Sequence, residues 1–259
     1  MKRKARDERL PKDGRAPAAA DVTRGASEVS SEAVTNVDAD AIPCTSSKSV
    51  MPHVVYHLIE GSNWPFIEKE GLLSASALLR ASSLSSEEVE SIECNQRPQK
   101  FVLPDGRVLR DQKPLPVAAL KRCLVDCEPS TWYKLINSKV YFWVDLARLN
   151  RVRKAILTAP QVVLKVDAQA LLAQYGSRAA LTPYNIGNAM RKASRRSCAT
   201  LVPYSTWLDS GWDSESAAVG GRPRSRHHRP AELVVGDAIP DIMKFVLEVR
   251  KLAPGELMT

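Results

Sequence analysis

From Val54 to Leu73 the chain runs Val-Val-Tyr-His-Leu-Ile-Glu-Gly-Ser-Asn-Trp-Pro-Phe-Ile-Glu-Lys-Glu-Gly-Leu-Leu, and this pattern constrains the fold more than any other. The β-branched and aromatic start predicts a short buried strand that carries a histidine. A helix follows with punctuation at both ends. Ser62 or Asn63 suits its N-cap, Pro65 its first turn, and Gly71 the left-handed residue past its end. Trp64, Ile67 and Leu72 or Leu73 then face a core.

Short apolar strands and capped helices go on mixing after this unit without regular alternation, which predicts an α+β fold rather than a doubly wound sheet. Ser74 to Arg80 and Ser85 to Ile92 predict helices. Pro104-Asp105-Gly106 between β-prone runs predicts a hairpin over residues 100–109. Pro116 to Val125 and Pro129 to Ile136 each begin with a proline suited to a first helical turn. Val140 to Val144 (Val-Tyr-Phe-Trp-Val) predicts a buried strand. Asp145 caps a helix to about Ile156, Val162 to Val166 is a strand, and Asp167 caps Ala168 to Tyr175. Leu181 and Thr200 to Tyr204 are weaker strands. Asp209 to Arg229 predicts a long Ser/Gly/Arg loop. Ala231 to Val235 and Lys244 to Val249 close the sheet.

Residues 1–50 differ. They hold no aromatic residue and no sustained apolar period, so they cannot bury enough surface to offset their ordering entropy. A disordered basic and polar tail is expected there, ahead of one domain over 51–259. The net charge of +8 favours an anionic partner, whether nucleic acid, an acidic membrane or a phosphorylated cofactor. No apolar run is long enough to span a bilayer, no leader is evident near Met1, and no membrane association is expected. The five cysteines are scattered, which predicts thiols in a reducing, cytoplasmic setting. Cys123 and Cys127 share a helix face with no second ligand pair nearby, and neighbouring His227 and His228 point apart on a strand. No metal is expected.

Neither glycine-rich nucleotide loop is present, nor a Gly-x-Ser-x-Gly elbow, nor the His-x-Glu and paired cysteines of zinc deaminases. The remaining candidates are His57, Asp111-Gln112, the Tyr141-Phe142-Trp143 strand, the basic loop and Glu232. In order and spacing they resemble the three motifs of the ADP-ribosyltransferase fold. Tyr56-His57 with Gly71-Leu72-Leu73 resembles the first motif. Tyr141-Phe142-Trp143 resembles the second, an aromatic central strand. Arg229-Pro230-Ala231-Glu232-Leu233-Val234-Val235 resembles the third, a glutamate that starts a strand after a long loop. The likeness, over roughly Met51 to Lys251, is nearest to DarT-like nucleic-acid ADP-ribosyltransferases and a related uncharacterised bacterial family.

That resemblance implies a split β-sheet core with flanking helices and an enzyme that uses NAD as substrate, a mono-ADP-ribosyltransferase acting on a nucleic acid (DNA or RNA) or a protein. It implies Glu232 as the catalytic carboxylate and His57 as an NAD anchor that donates to a ribose hydroxyl. Tyr56, Tyr141 or Trp143 would stack on nicotinamide, and Arg148 or Arg151 would supply a cation. Arg222, Arg224, Arg226 and Arg229 would address the acceptor. The chain departs from the pattern at Val152, where many relatives carry a tyrosine. Two further readings keep the fold without the chemistry: a nucleic-acid-binding module and a protein-interaction module. The first predicts salt-dependent binding without NAD cleavage, and the second predicts that His57 and Glu232 lie too far apart to share one ligand.

Overall fold

The computed structural model describes residues 51–156, 158–190 and 193–259; the tail expected over 1–50 lies outside the described residues. The strands are β1 (Val54–Glu60), β2 (Leu72–Leu73), β3 (Phe101–Val102), β4 (Val108–Leu109), β5 (Lys139–Trp143), β6 (Gln161–Asp167), β7 (Ala179–Thr182), β8 (Val202–Pro203), β9 (Glu232–Gly236), β10 (Ala238–Ile239) and β11 (Val246–Leu252). The helices are α1 (Trp64–Glu70), α2 (Ala75–Arg80), α3 (Ser86–Cys94), α4 (Val117–Lys121), α5 (Pro129–Asn137), α6 (Leu146–Lys154), α7 (Ala168–Tyr175), α8 (Tyr204–Ser210) and α9 (Asp213–Ala218). Seven strands form one sheet in the order β11-β6-β1-β5-β9-β7-β8, with every paired neighbour antiparallel. The α+β class follows directly.

The sheet is nearly split. β1 pairs with β6 along its whole length, from Val54↔Asp167 to Glu60↔Gln161, and β5 pairs with β9 from Lys139↔Gly236 to Trp143↔Glu232. Between β1 and β5 the register holds only at Tyr56↔Trp143. Beyond that pair the two halves part. One face packs against α7, α8 and the start of α9 through Leu171, Leu172, Trp207 and Trp212. On the other face two apolar clusters sit apart. Trp132, Tyr133 and Ile136 of α5 pack under Val234 of β9, and Leu149 of α6 packs under Leu58 and Val163.

Much of the local grammar holds. The Ser74 hydroxyl caps α2, Ser85 and Glu88 form a capping box on α3, and Asp145 and Asp167 cap α6 and α7. Gly71 takes φ 81°, and a Cβ there would lie 2.4 Å from the Pro240 carbonyl oxygen. Only glycine fits both the left-handed backbone and the close approach of β10. Asn63 differs from its expected role. Its side chain does not cap α1 but donates to the Val108 carbonyl and accepts from the Val108 N–H, at 2.9 and 2.8 Å, tying α1 to the hairpin.

Three boundaries move. The helix expected to reach Val125 stops at Lys121, because Leu124 pairs with Arg196 instead. The strand expected over Thr200 to Tyr204 is only Val202–Pro203, and Tyr204 opens α8. The loop expected over Asp209 to Arg229 contains α9, held in place by Trp212 (1% exposed) and Glu215 (0% exposed). Among the described residues no helix is long and apolar enough to cross a membrane.

Candidate active site

A cavity of about 650 Å³ opens where β1 and β5 part. Residues His57 to Glu60 of β1 line one side of it and Lys139, Val140, Tyr141 and Trp143 of β5 the other. Ile136 of α5 and Val152 of α6 also reach it, so it fills the space between the two clusters on that face. Glu232 lines the same cavity. His57 and Glu232 therefore line one cavity, which the interaction-module reading does not expect.

Four residues form one row across four strands, because Tyr56 pairs with Trp143, Trp143 with Glu232, and Glu232 with Thr182. Directly opposed residues of antiparallel strands point to the same face. Trp143 and Glu232 reach the cavity, whereas Tyr56 is not part of its lining and packs beside Trp143 in the α6 cluster.

His57, one step along β1, alternates out of that row, with its ring 5.5 Å from that of Phe142, and reaches the cavity where β1 and β5 part. Its Nδ1 bonds the Tyr141 carbonyl oxygen at 2.7 Å, bridging the two strands near the point where their ladder stops. A carbonyl can only accept, so Nδ1 carries the proton and Nε2 is left as an acceptor. Burial, reinforced by the charge of Arg110, lowers the imidazole pKa to about 4 even though the Tyr141 bond opposes the shift. The ring is therefore neutral at pH 7. In that tautomer the free ring nitrogen can accept a hydrogen bond from a ligand but cannot donate one.

Glu232 is 3% exposed. Its Oε2 accepts from the Ile186 N–H at 3.2 Å and lies 2.9 Å from the Thr182 hydroxyl. Burial raises its pKa to about 7, against the lowering effect of these two bonds and of the more distant Arg148 and Arg196 charges. The Thr182 hydroxyl also lies 2.9 Å from the Tyr184 carbonyl oxygen. One hydroxyl proton cannot serve both acceptors. With Glu232 protonated, the carboxyl donates to Thr182 and Thr182 donates to Tyr184, so every group is satisfied. When Glu232 ionises, the Thr182 proton is drawn towards the carboxylate.

The turn that supplies the Ile186 N–H is held from behind by Arg196, which is 1% exposed. Its guanidinium donates to the Ile186 and Asn188 carbonyls at 2.8 and 3.0 Å. It also lies 5.7 Å from the Trp132 ring centroid and 5.5 Å from that of Tyr184. Arg196 thus positions one hydrogen-bond donor on Glu232. At the far end of the cavity, buried Glu60 takes Lys100 at 2.8 Å and Arg110 at 3.2 Å.

The remaining sequence candidates divide. Tyr141 lines the cavity, but its hydroxyl donates to the Ile136 carbonyl. Burial and the Glu232 charge push its pKa well above the ordinary value. Arg148 bonds Asp145 at 2.8 Å and is not part of the lining, whereas Arg151 is. Gln112 accepts from the Arg97 N–H and donates to Asn137, bracing the wall. In the basic loop Arg222, Arg226 and Arg229 are exposed. Arg224 is not free: it pairs with Glu215 at 2.7 Å. His228 bonds the Pro183 carbonyl. Thr182, Ile186 and Arg196 were not among the candidates. Only the register between β7 and β9 could have pointed to Thr182.

The nearly split antiparallel sheet, with a buried carboxyl at its opening, defines an α+β domain with a largely apolar cavity at the split. The chain belongs to DUF7002, described as a family of unknown function, which matches residues 53–246. Among solved structures it is similar to Thermus sp. 2.9 DarT in complex with NAD+, at 15% identity over 76% of this chain and 81% of that one, with a TM-score of 0.34. It is also similar to Thermus sp. 2.9 DarT in complex with ADP-ribosylated ssDNA, at 16% identity over 78% and 82%, with a TM-score of 0.36. None of the curated proteins compared matches the chain.

Proposed function

We propose that the chain is an NAD-dependent mono-ADP-ribosyltransferase with Glu232 as its catalytic carboxylate. The observation that carries the reading is that Glu232, His57 and Trp143 line one cavity at the split in the sheet. Its volume is within the range of small-molecule sites, about 300–1,000 Å³.

Breaking the bond between nicotinamide and ribose builds positive charge on the ribose ring, as in glycoside cleavage. A carboxylate shielded from water stabilises that charge strongly. Glu232 must first lose its proton, and a cationic nicotinamide-ribose beside it favours the loss. The electron pair of the broken bond leaves with nicotinamide, an acceptor atom bonds the same carbon, and Glu232 takes the acceptor's proton. His57 Nε2 accepts from a ribose hydroxyl, Trp143 offers an aromatic face, and Arg151 offers a cation to the diphosphate. Arg222, Arg226 and Arg229 face solvent and suit an acceptor rich in phosphates, DNA or RNA ahead of protein. Arg224 drops out of that set.

The test is incubation of the full chain with labelled NAD and separate DNA, RNA and protein acceptors. Label should pass to one acceptor class and be lost with Glu232→Ala. Transfer undiminished in that variant sinks the assignment. Salt-sensitive nucleic-acid binding with intact NAD would instead support a non-catalytic binding module, the reading favoured by the three exposed arginines alone.

A further inference from the structure

A second cluster of reactive side chains lies outside the cavity lining. Asp126 and Cys127 sit in the connection between α4 and α5. Cys198 opens the short turn Cys198–Thr200. The backbone clamps these segments together. Leu124 forms a parallel bridge to Arg196, the Val125 N–H donates to the Arg196 carbonyl at 3.0 Å, and the Arg196 N–H donates to the Cys123 carbonyl at 2.7 Å. The Cys198 N–H reaches Asp126 Oδ1 at 3.4 Å. One carboxylate oxygen and two sulfurs consequently lie within 4.8 Å of one another. The sequence offers Cys123 as the partner of Cys127, but Cys123 is buried and its thiol donates to the Leu120 carbonyl.

We propose that Asp126, Cys127 and Cys198 form a binding site for one thiophilic divalent cation, with Zn2+ the ion whose chemistry fits. Two thiolates and a carboxylate suit zinc and exclude magnesium and calcium as preferred ions. Around zinc, bonds of about 2.3 Å to sulfur and 2.0–2.2 Å to oxygen place tetrahedral ligand atoms roughly 3.5–3.8 Å apart. Reaching that spacing needs only a small closure of side chains, and those of Asp126 and Cys198 are exposed while Cys127 is half-buried. The exposed side leaves a fourth position for water and an entry path. A bound ion would add a cross-link between two segments already joined by the backbone hydrogen bonds of the bridge and by the Cys198 N–H to Asp126. Because Arg196 lies two residues from Cys198, the link would also stiffen the support behind the Ile186 turn. The site stands independently of the NAD reading, since it shares no residue with it.

The experiment uses the full chain, reduced and stripped with a chelator, and titrated with Cd2+ as a spectroscopic probe and Zn2+ in competition. One ion per chain should bind, with a thiolate-to-cadmium absorption band that Zn2+ abolishes, and Zn2+ should raise the thermal midpoint. Cys127→Ser or Cys198→Ser should weaken binding at least about a hundredfold and Asp126→Asn about tenfold. A Cys44→Ser/Cys94→Ser chain should bind as the parent does. Absence of a saturable band overturns the proposal, as does a band that survives loss of both Cys127 and Cys198. Closure of Cys127 to Cys198 as a disulfide that neither metal prevents also overturns it, and would make the pair a redox couple instead.

Discussion

Two glutamates are buried within one stretch of chain, and their surroundings could hardly differ more. Glu215 on α9 is 0% exposed and Glu232 at the start of β9 is 3% exposed. Both oxygens of Glu215 are taken by the Arg224 guanidinium, at 2.7 and 3.1 Å. That two-point ion pair is a structural joint. Glu232 receives a backbone N–H and shares a hydroxyl, with no cation in bonding contact. Burial, with no cation in contact to offset it, raises its pKa to about 7. A chain rich in arginine has neutralised one buried carboxyl and left the other open to a cavity. Perturbed carboxyls in cavities mark candidate reaction centres, and paired ones mark packing.

The contrast breaks most visibly in activity. Glu232→Gln keeps the shape of the side chain and removes its charge. NAD cleavage should fall by about 10²–10³, the cost of losing one buried electrostatic stabiliser, while the fold survives. Steady-state nicotinamide release measures it, and a loss below tenfold would demote Glu232. Glu215→Gln should do the reverse. It strands the Arg224 charge against Tyr184, 5.4 Å from the ring centroid, and should cost about 3 kcal/mol of stability, discounted for the partial exposure of Arg224. Urea unfolding of the two variants side by side decides which glutamate carries structure.

Acid–base linkage sharpens the same comparison. Glu232 has its folded pKa raised from 4.5 to about 7. Its contribution to stability is complete below pH 4.5 and is lost as pH rises through 7. His57 has its folded pKa lowered from 6.5 to about 4. Its contribution is complete above pH 6.5 and is lost as pH falls through 4. Each is worth up to roughly 3 kcal/mol, and between pH 4.5 and 6.5 their slopes oppose and nearly cancel. Stability of the parent chain should be flat there. Glu232→Gln should leave a stability that climbs with pH across that window, and His57→Asn one that falls. Parallel pH profiles for all three proteins would refute both shifted groups.

What was legible in the sequence was local. Val54 to Leu73, the aromatic run of β5 and the glutamate opening β9 each announce themselves through period, β-branching and turn residues within a few positions. What was not legible depends on partners far along the chain. Nothing near Thr182 says that it will face Glu232, since only the β7–β9 register places it there. Nothing near Arg196 says that it will hold the Ile186 turn. The stretch of α9 is rich in serine and glycine, so it reads as loop. Its helix depends on burying Trp212 and on the Glu215–Arg224 pair, both tertiary facts. Cys198 likewise meets Cys127 only because two loops are bridged.

The smallest expected effect tests the proton on Glu232 most directly. Thr182→Val removes a buried hydroxyl at nearly constant shape, and that hydroxyl bonds the ionised carboxylate better than it serves the neutral one. Without it the charged form loses a bond worth about 1.5 kcal/mol, so the Glu232 pKa should rise by about one unit. Activity that depends on the carboxylate should then drop several-fold at pH 7 and recover at about pH 9. Recovery distinguishes the proton from mere damage, because a distorted site stays slow at every pH. If the profile moves down instead, Thr182 is holding the protonated form, and the toggle between Tyr184 and Glu232 runs opposite to the direction argued from the hydrogen bonds.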